Sequence, residues 1–356
     1  MEETAGTGGK MPRRKFLFGL AVLCLLLASC SGSQKGERKT SIRIGVSLYR
    51  ADDTFINNLR SIFEEKAKEY ERRNGIKVIL DIQDAKGSQN MQNSQVERFI
   101  SLGCDVLCIN PVDRMDASAI IDKAMTAGVP VVFFNRQPVE EDMNRWDQLY
   151  YIGVDAKETA ILQGKMVVDL YKEQPAAVDL NGDGVVGYVL LEGETSHQDS
   201  LIRTEWSIRT LKNGGVPIEK ITGGIANWER SQGSALMEQW LSAYPGKIEL
   251  VVSNNDDMAL GAIDALERTK TDGVNVIGID GTTSGLEALE NGKLLGTVSA
   301  NKELYATVIL EMAVSCALGE PPPEEYPLED GTYYWTPQEI LIRENTEAEE
   351  MPAQSR

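Results

Sequence analysis

The chain contains a single histidine, His197, in 356 residues. That scarcity removes HExxH metalloprotease chemistry, His-rich zinc sites and any mechanism that needs two imidazoles. A Ser-His-Asp triad would have to be built on His197 itself. Basic residues are also in deficit, with 36 Lys plus Arg against 54 Asp plus Glu and a formal net charge of −18. Such a surface repels a polyanion, so nucleic acid is not an expected partner. Cysteine is sparse, with five residues, and aromatics make up only 6%. What is present, 42% hydrophobic and 25% charged residues, is the composition of an ordinary globular protein, and the length suits two domains.

The longest apolar run is too short to span a membrane. Phe16 to Leu27 is uncharged but would rise about 18 Å as a helix, against a hydrocarbon core of about 30 Å. Arg13, Arg14 and Lys15 precede it and the small residues Ala28 and Ser29 follow, which reads as an export signal over residues 1–29. The ending Leu27-Ala28-Ser29-Cys30 resembles the bacterial lipobox, whose cysteine is lipidated and becomes the first mature residue. Cleavage would remove four basic and two acidic residues and shift the net charge to −20. Residues 30–40 then form a lipidated Cys30 and a flexible polar tether, anchoring the protein to the membrane in the periplasm or cell envelope. Of the remaining cysteines, Cys104 and Cys108 flank a strand-like run and Cys316 stands alone, so all three read as small buried hydrophobes.

Beyond residue 40, apolar β-branched runs alternate with helical periodicity: Ile42 to Leu48, Lys77 to Ile82, Val106 to Ile109 and Val129 to Phe134, with amphipathic segments between them. The rhythm restarts at Leu149 to Val154 and continues through Val186 to Leu191, Lys220 to Ile225, Glu249 to Ser253 and Val276 to Ile279. Continuous apolar strands separated by helices imply parallel sheets covered on both faces. The expected fold class is α/β, with two doubly wound, Rossmann-like lobes. Ligands of open α/β sheets bind beyond the carboxyl ends of the strands, so two such lobes facing each other make a cleft.

Those strand ends carry planar polar groups and flat apolar ones. Asp53 and Phe55 follow the first strand, Asn135 the fourth, and His197, Asp199 and Arg203 the strand ending in Glu192. Trp228, Asn255, Asp256, Asp280 and Asn301 follow later ones. Asp, Asn and Arg present paired donors and acceptors that suit vicinal hydroxyls, and an aromatic face suits the C–H surface of a sugar ring. Singly, each has a plainer structural alternative: Asp53 and Asp256 suit helix caps, Trp228 a core, Asn135 a turn and His197 a satisfied surface position. Together they describe a carbohydrate pocket.

The segments IGVSLYRADDTF, VVFFNRQP, DLNGDG, LLEGETSHQD with Arg203, NNDDMALGAIDAL and GTVS resemble the periplasmic galactose/glucose-binding proteins of ABC import systems. The resemblance implies a type I periplasmic binding protein in which the chain crosses three times between lobes. The N-terminal lobe would comprise residues 41–154 plus 300–336, the C-terminal lobe residues 155–299 plus 337–350. It implies hydroxyl hydrogen bonds from Asp53, Asn135, His197, Asp199, Arg203, Asn255 and Asp280, with Phe55 and Trp228 sandwiching a pyranose. It also implies D-glucose or D-galactose as ligand, a monomer, ABC permease subunits as partners, and a chemoreceptor as a further one. The family's asparagine twenty residues beyond Asp280 is Ala300 here, so either Asn301 takes its place or one hydrogen bond is absent.

Asp179, Asn181, Asp183 and Gly184 match positions 1, 3, 5 and 6 of an EF-hand loop, where alternate oxygens converge on a hard cation. Position 12 is Leu190 rather than glutamate, and such a run is also an ordinary Asx-rich turn. The resemblance supplies the missing carboxylate from Glu249 and a backbone carbonyl from Val185, and so implies structural Ca2+. The family's ninth-position glutamine is Gly187. The alternatives are a binding protein for another monosaccharide, a pentose, and two functions that compete with solute binding: a sugar hydrolase using a carboxylate pair such as Asp53 and Asp280, and a sugar-responsive repressor core. The export signal and the lack of a basic helix-turn-helix segment oppose the latter.

Overall fold

A computed structural model describes residues 1, 2, 6 and 39–343. The expected signal peptide, Cys30, most of the tether and residues 344–350 of the expected C-terminal lobe lie outside the described residues. Residues 1–40 separate from the remainder, and the fold described below is that of Ser41 onward.

The first sheet is parallel throughout. It comprises β1 (Ser41–Leu48), β2 (Lys77–Asp84), β3 (Val106–Ile109), β4 (Val131–Phe134), β5 (Leu149–Gly153) and β11 (Tyr333–Trp335), in the order β11-β5-β4-β3-β1-β2. The second sheet holds β6 (Val186–Glu192), β7 (Ile218–Ile225), β8 (Leu250–Ser253) and β9 (Asn275–Ile277), parallel in the order β7-β6-β8-β9. An antiparallel pair, β10 (Thr297–Ala300) with β12 (Gln338–Leu341), extends this sheet through a bridge between Ile277 and Gly296. The chain passes between the sheets after β5, after β10 and after β11. Ala300, the last residue of β10, pairs with Gln338 and so stands with the second sheet.

Each sheet has a core on both faces, as its continuous apolar strands require. Helix α1 (Thr54–Asn74) buries Ile56, Leu59, Phe63 and Ala67, a stripe at spacings of three and four residues, against one face of the first sheet. The late helix α10 (Lys302–Leu318) packs into that same core through Tyr305, Ile309 and Met312. Helices α2 (Gln89–Ser101) and α3 (Ser118–Ala127) cover the opposite face through Phe99, Ile120 and Ile121. Truncating a fully buried side chain such as Phe99 costs about 3–5 kcal/mol. The second sheet is covered on one side by α5 (Ala156–Glu173) and α6 (Gln198–Asn213), and on the other by α7 (Arg230–Ala243), α8 (Asp256–Thr269) and α9 (Thr283–Glu290). A single turn, α4 (Glu140–Met143), precedes β5. Cys104, Cys108 and Cys316 are free and buried, and no helix among the described residues is long and apolar enough to cross a membrane.

Candidate functional site

The carboxyl ends of both sheets face a common cleft of about 600 Å3, counting its open mouth. Nine of the ten expected ligand residues line it: Asp53, Phe55, Asn135, His197, Asp199, Arg203, Trp228, Asn255 and Asp280.

On the side of the first sheet, Asp53 and Asn135 are held by their own lobe. Asp53 caps α1, its Oδ1 accepting the Ile56 N–H at 2.9 Å, while its Oδ2 accepts the Tyr49 hydroxyl at 2.5 Å. Burial and the Asp53 charge push the Tyr49 phenol far above its usual range, so it stays protonated. The Arg136 guanidinium lies over the Tyr49 ring, 3.7 Å from its centroid. Asn135 sits in the left-handed region at φ 63°. Its N–H donates to the Tyr305 hydroxyl at 3.0 Å and its carbonyl accepts the Tyr151 hydroxyl at 2.8 Å. Its Oδ1 accepts from Asn110 Nδ2 at 3.1 Å, which commits the amide oxygen and leaves Nδ2 as the donor for a ligand. The Phe55 ring is tilted against Tyr305 at 6.3 Å.

The side of the second sheet is charged. His197 caps α6, its Nδ1 accepting the Asp199 N–H at 3.2 Å, which assigns the imidazole proton to Nε2. Burial, reinforced by Arg136, Arg203 and Arg114, holds its pKa well below the ordinary value. The ring is therefore neutral, and its 3.8 Å approach to Asp199 is no ion pair. Arg203, one helical turn after Asp199, lies 3.5 Å from that carboxylate and 3.7 Å from Asp280, and donates to the Asn254 carbonyl at 2.9 Å. Burial raises the pKa of Asp199 against the pull of Arg203, and raises Asp280 further, with the Asp256 charge adding to it. Arg203 Nε and Trp228 Nε1 are buried without hydrogen-bond partners.

Backbone geometry places the indole. Trp228 has φ 68°, costly for a bulky residue, and its carbonyl is tied by Asn255 Nδ2 at 3.2 Å while Asn255 Oδ1 caps α8 through the Met258 N–H. The ring packs over Gly193: a Cβ there would lie 2.1 Å from the indole, so no side chain is accommodated. His197 meets its edge at 5.2 Å.

Asn301 does not join the set. Its Oδ1 accepts the Leu304 N–H at 2.9 Å, capping α10, and the residue is exposed, whereas Ala300 lines the cleft. Side chains alternate along an extended segment, so the neighbour of a cleft-facing residue points elsewhere. Conversely, Tyr49, Tyr305, Arg136 and Gln338 belong to the site or its frame without having been singled out. Tyr49 directly follows β1 and was open to the strand-end rule. Arg136 joins the lobes through Glu194 at 2.8 Å, as do Arg50 with Glu229 at 3.1 Å and the Thr54 hydroxyl with Asp257 at 2.5 Å.

The loop expected to hold a cation is brought together with its distant carboxylate. Glu249, nearly fully buried, accepts the Leu180 and Asn181 N–H groups through Oε1, at 2.7 and 3.0 Å, and the Gly187 N–H through Oε2 at 2.9 Å. Asp179 accepts from Gly182 and Gly184, Asn181 from Asp183, and Asp183 from Val185. Among the described residues, no cluster of three or more His, Cys, Asp or Glu side chains is spaced to hold a metal. A Cβ at Gly187 would lie 2.1 Å from the Lys247 carbonyl, so a side-chain ligand has no room there in this backbone.

Comparison with known proteins agrees with this architecture. Residues 44–321 match a periplasmic binding protein domain. The D-galactose/methyl-galactoside binding periplasmic protein of Haemophilus influenzae is 35% identical over 81% of this chain and 86% of its own. The ribose import binding protein of Bacillus subtilis is 28% identical over 83% of this chain and 90% of its own. Among solved structures, an ABC transporter solute binding protein from Bacillus halodurans with bound myo-inositol superposes with a TM-score of 0.72 at 31% identity, covering 89% of this chain and 99% of that one. With two parallel sheets, three crossings and a cleft at the strand ends, the chain belongs to the type I periplasmic binding protein family.

Proposed function

We propose that the protein is the solute-binding component of an ABC import system, a binding protein and not an enzyme, that takes D-glucose or D-galactose in the cleft between its lobes. The observation that carries this reading is the convergence of Phe55, Trp228 and seven polar side chains on one cavity. The neutral His197 offers an Nε2–H donor, Asn135 an amide donor and Asp53 an acceptor, while Arg203 with Asp199 and Asp280 forms a buried array matched to hydroxyls that both donate and accept. Closure of the lobes removes water from these groups, so a sugar that satisfies them binds and one that leaves them unpaired is rejected. The named ligands of the relatives, galactose, ribose and myo-inositol, are all polyhydroxylated rings, which supports the class. A hydrolase using Asp53 and Asp280 needs one of them poised as an acid and the other as a nucleophile or base across one bond, whereas Asp53 is held by the Ile56 N–H and the Tyr49 hydroxyl and Asp280 stands beside Arg203.

In this reading Cys30 is lipidated and holds a monomer at the membrane of the periplasm or cell envelope, where it serves permease subunits and a chemoreceptor. Asp179, Asn181, Asp183, the Val185 carbonyl and Glu249 would supply an all-oxygen set to structural Ca2+ once their side chains turn from the backbone N–H groups they now accept toward the ion. The support for it is that Glu249, distant in sequence, is buried beside Leu180 and Asn181 at the loop. Calorimetric titration of residues 31–356 with glucose, galactose, ribose and xylose tests the sugar assignment. Tight heat is expected with a hexose; heat with a pentose alone overturns it. EDTA should lower the melting temperature, and an unchanged melt removes the cation.

A further inference from the structure

Apart from the aromatic faces of Phe55 and Trp228, the cleft has one apolar wall, at the hinge. Each of the three interlobe crossings contributes one residue to its wall: Val154 after β5, Ala300 at the end of β10, and Gln338 at the start of β12. Val154 and Ala300 are aliphatic. The Gln338 amide is already tied on both atoms, Oε1 accepting the Thr159 hydroxyl and one Nε2 hydrogen going to the Asp155 carbonyl 3.1 Å away, which turns the group toward α5. The backbone there is spent too, because Ala300 pairs with Gln338 in the β10–β12 ladder and the Ala300 carbonyl accepts the Ser299 hydroxyl at 3.1 Å. The aliphatic residues Val298 and Ile279 continue the wall. The unpartnered Thr336 hydroxyl lies on the third crossing but is not part of the lining.

A sugar hydroxyl pressed against Val154, Val298 or Ala300 loses water and finds no side-chain partner, a burial that weakens binding by roughly tenfold. A C–H or methyl group at the same place is matched by aliphatic carbon. The opposite holds on the polar sides, where removing a hydroxyl strands Asp, Asn or Arg groups and costs far more.

Resting on the sugar reading of the cleft, we infer that the preferred ligand is a deoxygenated monosaccharide: a hexose lacking one hydroxyl, whose bare carbon faces the hinge wall, with Ala300 as the residue that sets this preference. Asparagine in place of Ala300 would put a donor and an acceptor at the centre of the wall and favour the fully hydroxylated hexose.

The test is calorimetric titration of the full-length protein with glucose, galactose and the complete set of monodeoxy derivatives of whichever parent binds more tightly. One derivative is expected to bind at least as tightly as its parent, while the others lose tenfold or more. In Ala300→Asn, and more weakly in Ala300→Ser, the parent should gain on that derivative by at least threefold. If every deoxygenation weakens binding to the wild-type protein, the inference is overturned while the sugar assignment stands. If neither parent nor any derivative gives heat, the sugar assignment falls and takes the inference with it.

Discussion

On the first-sheet side of the cleft, Asp53 is spent on a helix cap and a tyrosine hydroxyl, and Asn135 is pinned by Tyr151, Tyr305 and Asn110. These two cleft groups are nearly satisfied before any ligand arrives, and the orphaned Arg136 Nε on this side belongs to a residue outside the cleft lining. On the second-sheet side, Arg203 stands between two carboxylates at 3.5 and 3.7 Å, with its Nε and the Trp228 Nε1 unpartnered. That side keeps unfilled hydrogen-bonding capacity in a buried setting, where it is most costly. In the sugar reading proposed above, the contrast assigns the main recognition surface to the second lobe and makes the first a shaped cover. Binding energy should therefore be distributed unevenly between the two.

Arg203→Met should break the charged side outright. Losing one partner of a buried array costs about 3–5 kcal/mol, so hexose affinity should fall by more than a hundredfold in calorimetry, with a lower melting temperature. Trp228→Ala should weaken binding by more than about tenfold while the fold survives, as expected for a buried aromatic anchor; Phe55→Ala, on the cover, should cost less, and equal losses would erase the contrast. Arg136→Ala removes the Glu194 contact between lobes and the stacking on Tyr49, and should raise the dissociation rate several-fold in stopped-flow measurements with little change in association.

The smallest effect concerns pH. Asp256 is fully buried beneath the second-sheet side, and burial raises its pKa to about 6 despite bonds from Thr282 and Thr297. Its folded pKa exceeds its unfolded value, so the native state holds the extra proton between about pH 4 and 6. The stability it contributes is full below that window and is lost as pH rises through 6. Melting temperatures of the wild type should fall more steeply from pH 4.5 to 7 than those of Asp256→Asn, and parallel curves would refute the assignment.

Much of this was legible in the sequence. The strands from Ile42 to Ile279 announce themselves as continuous β-branched runs, and the strand-end rule found nine cleft residues because parallel strands all point their carboxyl ends one way. The rest depends on tertiary distance. Tyr305 enters the site from α10, which returns to the first lobe after more than a hundred residues in the second. Strand β11, three residues of Tyr and Trp, carries too little pattern to be read alone. Asn301, expected in the cleft, lies one step of side-chain alternation beyond the lining residue Ala300, the smallest displacement that reverses a residue's direction.

The buried cysteines bear on life outside the cytoplasm. Burial pushes the thiol of Cys104 up to about 11 and that of Cys316 to about 12, and raises Cys108 as well. At neutral pH a thiol with a pKa near 11 is ionised in only about one molecule in ten thousand. Once folded, these three buried sulfurs offer oxidants and disulfide-exchange enzymes almost no thiolate, and the fold owes nothing to crosslinks among them.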